Sequence, residues 1–237
     1  MAHTGAFWYC PPNKSNSTHL EDHEFIIMFR MWFGLPILDD KVQCKFCKFT
    51  IEKDGFHALE CLANGDISRR HNSILDVVEW LCKLGRLNPK LEVVNLLGEN
   101  KMRMDLVLNS SFYSEPVLID VSVTSVCQDS VVNYSKNTAL YAAKICEEYK
   151  SRKYESLCKQ RKLKFVPFIM ETFGAIGNHA SKFIKTVLTL AATQLGKSIS
   201  EMGLIFYRKL HMTLQKANIS AITRRIPSLI CKDRLWN

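Results

Sequence analysis

Two acids in apolar surroundings, Asp105 and Asp120, have the types and spacing that could do chemistry. Asp105 stands in Arg103-Met104-Asp105-Leu106-Val107-Leu108, and Asp120 in Val117-Leu118-Ile119-Asp120-Val121-Ser122-Val123-Thr124. Both segments are short, apolar and bounded by polar residues, and the second is rich in β-branched residues. Both therefore read as strands. A carboxylate inside an apolar strand is costly unless a cation or a donor meets it. On adjacent strands the two could share one hard divalent cation, Mg²⁺ or Mn²⁺, which takes carboxylate oxygens and water. That is the donor set of a metal-dependent phosphodiesterase site. Taken alone, the pair could equally be strand-end acids bonded to backbone or solvent.

A second constellation has the spacing Cys44-x2-Cys47-x9-His57-x3-Cys61. A two-residue gap lets both thiolates of a tight knuckle face one ion, and His57 and Cys61, four apart, share one helical face. Four protein ligands make a closed tetrahedral Cys₃His set, which suits a structural zinc rather than a catalytic one. Asp54-Gly55 supplies the turn between the halves. The chain has nine cysteines. No secretory signal is legible at its start, so a disulfide framework is not expected. Cys82, Cys146 and Cys158 fall in helical patterns, as small core residues would.

The elements that must position these residues follow from the pattern. With 237 residues and 47% hydrophobic content, the chain can bury a real core. No run of eighteen apolar residues offers a membrane span. Lys and Arg exceed Asp and Glu by 32 to 23, and a charge of +9 suits a polyanionic partner. Residues 1–20 have coil composition and are expected to be disordered. A dense apolar helix over 21–36 leads into the zinc module, which closes at 68. Helices are expected over 69–85, 136–161, 177–196 and 200–220, and strands over 91–97, 103–108, 117–124 and 164–171. Residues 69–175 would form the core, and 176–237 a C-terminal helical extension. Three strands in a meander, then a crossover helix and a fourth strand, give an α/β fold with a mixed four-stranded sheet flanked by helices. This order resembles the core of the PD-(D/E)xK restriction-endonuclease-like nucleases, with their two acids on the second and third strands.

The motifs, taken together and in order, resemble one group within that class. Over residues 20–222 the chain is similar to the C-terminal restriction-like endonuclease domain of site-specific non-LTR retrotransposon proteins. The likeness rests on the Cys44/Cys47/His57/Cys61 knuckle with Gly55-x-His57-Ala58-Leu59, on Arg70-His71-Asn72, and on Arg103-x-Asp105 with Asp120-Val-Ser-Val. It continues through Lys150-Ser-Arg-Lys153-Tyr154, Phe165 to Gly174, and Phe206 to Asn218. Two positions depart from the pattern. The family's proline before the first acid is Met104 here, and the lysine often found two residues after the second acid is Ser122.

The resemblance implies a DNA endonuclease that nicks its target for target-primed reverse transcription. Asp105 and Asp120 would hold Mg²⁺ or Mn²⁺ at the scissile phosphate. Lys150, or Lys153 if the helix is rotated, would stabilise charge there, with Tyr154 beside it. Glu171, at a strand end, would bind metal or buttress Asp120. Glu79 and Glu92 are weaker candidates for an additional acid. Arg70, His71 and Asn72 would open a helix whose N-terminus meets DNA phosphate. Arg224, Arg225 and the basic run 159–164 would touch the backbone. The partners implied are DNA and a reverse transcriptase, or the rest of a retrotransposon polyprotein; the implied location is the nucleus. The competing expectation is a decayed, non-catalytic, zinc-stabilised DNA-binding module, which Ser122, Met104 and the lack of a polymerase region favour.

Overall fold

The computed structural model describes Asn13, residues 18–94, Leu96 and residues 103–230. The disorder expected over 1–20 falls outside the described residues, apart from Asn13 and 18–20. Helix α1 (Asp22–Trp32) precedes a two-stranded hairpin, β1 (Val42–Gln43) and β2 (Thr50–Ile51), and a single helical turn, α2 (His57–Glu60). Helix α3 (Asp66–Leu84) leads to β3 (Pro89–Val94), β4 (Arg103–Leu108) and β5 (Val117–Thr124). Then come α4 (Asp129–Ser135), α5 (Tyr141–Gln160), β6 (Lys164–Glu171), α6 (Asn178–Leu195) and α7 (Ile199–Arg225).

The main sheet has the order β3-β4-β5-β6. Its first two pairings are antiparallel and the third, β5 with β6, is parallel. A parallel neighbour requires a crossover, and α5 provides it. The strands expected at 103–108, 117–124 and 164–171 form with those bounds. One face of the sheet packs on α3, α6 and α7 through Ile119, Val121, Phe168, Ile184 and Phe206. The other face packs on α5, where Leu118 and Val107 meet Tyr154 and Cys158. Each fully buried aliphatic side chain contributes about 1.5–3 kcal/mol, so burial on both faces fixes the strand register.

Three expectations are corrected. The long helix expected over 136–161 begins only at Tyr141, as α5, after Leu140, whose φ is +62°, and a separate short helix, α4, ends before the expected start. Ser135-Lys136-Asn137-Thr138 favours local turns over helix continuation. The helix expected to open near Arg70 opens at Asp66, so Arg70 lies in its second turn. The C-terminal segment is not an extension. Helix α7 supplies Phe206, Leu210 and Leu214 to the sheet core and Met212, Ile219 and Ile222 to the knuckle core. It is the spine that joins the two.

Candidate metal centre and carboxylate–lysine site

The knuckle closes as its spacing requires. The ligand atoms of Cys44, Cys47, His57 and Cys61 all lie within 4.8 Å of one another. Cys47 Sγ is 3.2 Å from His57 Nε2 and 3.6 Å from Cys61 Sγ. Metal–ligand bonds of roughly 2.0–2.3 Å around one tetrahedral centre produce separations of that size. The four residues could bind zinc. Burial raises the Cys44 thiol, but backbone N–H groups of Cys47 and Phe46 more than offset this, bringing it to about 6. A thiol so disposed readily supplies the thiolate that a metal needs. Phe49 stacks on the His57 ring at 5.1 Å and fixes its plane.

Charged side chains fasten this module to the core. Arg225, whose side chain is fully buried, donates to Cys61 O at 3.2 Å and to Ala63 O at 2.8 Å, and pairs with Asp66. Asp66 also receives Arg224 at 2.8 Å and Arg69 at 2.7 Å. Arg70 is buried as well. It donates to Leu59 O at 2.9 Å and to Asn218 Oδ1 at 3.0 Å, and Asn218 in turn donates to Thr172 O at 2.9 Å. Burial lowers Arg70 to about 10, although the nearby acids Glu60 and Asp66 favour its charge. Arg70 and Arg225 are therefore corrected from phosphate contacts to internal ties. Their guanidinium forks saturate carbonyls that would otherwise be buried without a donor.

The carboxylates meet where β4 and β5 part. The ladder pairs Leu108 with Val117, Val107 with Leu118 and Leu106 with Ile119. One more step in that register brings Asp105 opposite Asp120, and there the backbone pairing stops. Instead, Asp105 Oδ2 accepts from Val121 N–H at 2.7 Å. Lys150 Nζ, from α5, lies 2.7 Å from Asp120 Oδ2. His71 Nε2, from α3, lies 3.4 Å from Asp105 Oδ1. Four elements thus converge on a site whose side chains are only 9% exposed at Asp120 and 21% at Lys150. Burial raises the Asp120 carboxyl and the nearby Asp105 adds to this, against the pull of Lys150. His71 is raised chiefly by its bond to Asp105.

Of the two lysines considered, Lys150 is the one that reaches Asp120. Lys153 is exposed, and its Nζ sits 4.8 Å from the centre of the Tyr154 ring. Tyr154 is buried with its ring on the sheet, 5.1 Å from Phe165. Its part in the site is to seat α5. Glu171 is buried too, but it accepts from Ala143 N–H at 3.1 Å and so caps the start of α5. Glu147 repeats the device one helix later, accepting from His179 N–H at 2.9 Å at the start of α6. Gly177 leaves the room for this, since a Cβ there would stand 2.4 Å from the Glu147 oxygen. Glu79 pairs with Lys83 at 2.8 Å and Glu92 with Arg103 at 3.4 Å.

The sequence does not reveal the meeting of His71 with Asp105, because the two lie on elements brought together only by tertiary packing. Glu147 was likewise missed, hidden among the charges of α5. Asn72 is exposed, facing a groove between α3 and α7. No helix of the described residues is long and apolar enough to cross a membrane. No family model matches the chain, and no curated protein sequence matches it.

Proposed function

We propose that the protein is a metal-dependent DNA endonuclease of the restriction-like, PD-(D/E)xK type, derived from a non-LTR retrotransposon and built to nick target DNA. The observation that carries this reading is the constellation of Asp105 and Asp120, next in register on neighbouring strands, with Lys150 on Asp120. The donor set fits a hard divalent ion, because carboxylate oxygens are what Mg²⁺ or Mn²⁺ takes. Such an ion, when bound, activates water and offsets charge on the phosphorane.

The chain's own residues have separate parts. Asp105 and Asp120 would hold the ion, and Val121 N–H orients the Asp105 carboxylate. Lys150 supplies a fixed positive charge in a largely buried setting, where such a charge acts most strongly on a developing anion. His71 holds Asp105 from the other side and would lie against the substrate. The knuckle, loaded with zinc, keeps the start of α3 in place through Asp66 and Arg225. DNA would be the partner, with a reverse transcriptase or polyprotein acting in the same process and the nucleus as the setting.

The second reading, a zinc-stabilised DNA-binding module that does not cut, has its own observation. Lys150 pairs with Asp120 and His71 contacts Asp105, partners that a module without catalysis would also use, and Ser122 stands where nucleases of this class often carry lysine. Nicking of supercoiled plasmid with Mg²⁺ or Mn²⁺ separates the two readings. The endonuclease reading expects nicking that Asp120→Ala abolishes while DNA binding persists. Equal behaviour of wild type and Asp120→Ala leaves the module reading standing.

A further inference from the structure

The groove between α3 and α7 lies on a different side of α3 from the carboxylates. Its volume is ≈ 510 Å³, within the range of built ligand sites. The lining includes five cationic side chains and two acids, a surplus of positive charge. One of those acids, Asp66, is already matched by Arg69, Arg224 and Arg225. Lys209 and Lys216 have no carboxylate partner among the described residues. The Lys209 ammonium is instead set over the face of the Trp80 ring of α3, with Nζ 5.4 Å from the ring centre. Asn72, Thr213 and Ser220 add neutral hydrogen-bonding groups.

We propose that this groove binds the phosphodiester backbone of a nucleic acid, at phosphates flanking those at the carboxylate site. Fixed cations interspersed with amide and hydroxyl donors are the usual equipment for phosphate oxygens. Position supports the same occupant. Helix α3 sends His71 to Asp105 and Asn72 to the groove, and a helix with its side chains is about 10–12 Å across. At roughly 3.4 Å of rise per nucleotide in each strand, a strand at the carboxylates would reach the groove about three nucleotides away. The other basic stretch is less suited. The cavity beside Lys159, Lys162 and Lys164 also holds Glu115 and Glu155, and Lys159 is paired with Glu155 at 3.0 Å.

The proposal rests on the reading of the partner as nucleic acid, and not on the carboxylates being catalytic. Its test is binding of the zinc-loaded full chain to a short labelled DNA duplex, and to the matching single strand, by fluorescence anisotropy over a range of salt without added Mg²⁺. The variant is Lys209→Gln/Lys216→Gln, and Lys159→Gln/Lys162→Gln is a control of equal charge loss. Each lost phosphate contact lowers the slope of log affinity against log salt by roughly 0.9 for duplex or 0.7 for single strand. The groove variant should therefore lose about 1.8 on duplex, or about 1.4 if the groove holds an unpaired strand, and the control should keep most of the wild-type slope. An unchanged slope in the groove variant overturns the proposal. So does an equal drop in both variants, which would mean that only overall charge matters. Plasmid nicking, scored separately, decides the catalytic reading whichever way the groove result falls.

Discussion

The knuckle and the carboxylate site are built on opposite plans. The knuckle gathers its four ligands within 18 residues of chain, and they close on one point. The carboxylate site draws on α3, β4, β5 and α5, and its acids are held in separate contacts, Asp105 with His71 and Asp120 with Lys150. A closed ligand set leaves no place for substrate, so an ion bound there would only hold structure together. An open set held by salt bridges can exchange a partner for a ligand. The difference teaches where damage should show: stability at the knuckle, turnover at the carboxylates.

The largest effect is expected at the knuckle. Purified protein should carry about one zinc, and Cys47→Ser should lose it. Zinc binding in finger peptides is worth roughly 10–16 kcal/mol of folding free energy. Hydrogen exchange should accordingly show lost protection across α1, the hairpin and α2, with the sheet core spared. A Cys47→Ser protein that lacks zinc yet keeps the wild-type Tm and protection would break the comparison at its firmest point.

The joint between the two regions comes next. Asp66→Asn would leave the buried Arg225 without its counter-charge, at a cost of about 3–5 kcal/mol in urea unfolding. The joint also predicts a pH dependence. Burial raises the Asp66 carboxyl, but Arg225 and Arg224 more than reverse this, so its folded value lies below the ordinary 3.8. A depressed folded value means a contribution complete above the ordinary value and lost as pH falls through the folded one. Wild type should show that acid loss and Asp66→Asn should lack it. Parallel curves for the two proteins would show that the joint does not depend on the charge.

At the open site, Lys150→Ala should reduce nicking by about 10²–10³-fold, the range for one lost transition-state stabiliser. Lys153→Ala should be near neutral, since that amine lies on the exposed side of Tyr154. If Lys153→Ala is the more damaging change, the lysine geometry assigned to the site is wrong.

The two regions also differ in how much of them could be read from sequence. The knuckle was fully legible, because its ligands are local and its spacing is set by short-range geometry. The three main strands near the site were legible to the residue, because short apolar runs bounded by polar residues leave little freedom. The acids were legible for the same reason, standing out in an apolar setting. What failed was long-range. Arg70 reads as a basic residue on a helix, and nothing local shows that Leu59 O and Asn218 will enclose it. Helix α7 reads as an appendage, because the partners of His211, Asn218 and Arg225 lie 37 to 164 residues away. The break at Leu140 had a weak signal in the Ser-Lys-Asn-Thr stretch before it, outweighed by the strong helical pattern on its far side.

Glu171 is where the two plans come closest, and it gives the smallest and sharpest effect. As a strand-end acid near Asp120 it resembles a third metal ligand, yet its Oε1 accepts from Ala143 N–H. Burial pushes its carboxyl up, and the N–H groups of Ala143 and Ala142 only partly counter this. An anion at a helix N-terminus is worth roughly 0.3–1 kcal/mol, rising to about 2 when partly buried. Glu171→Gln keeps the shape and one acceptor oxygen and removes a charge that burial disfavours, so stability in urea unfolding should change by less than about 1 kcal/mol. The start of α5 should hold, because the remaining oxygen can still accept from Ala143 N–H. Lys150 lies about two turns further along the same helix, so nicking should fall less than in Lys150→Ala, with the metal concentration for half-maximal nicking unchanged. A metal ligand would behave differently: nicking would collapse as in Asp120→Ala, or the Mg²⁺ requirement would rise steeply, with stability left intact. That outcome would move Glu171 from the frame of the site into its chemistry.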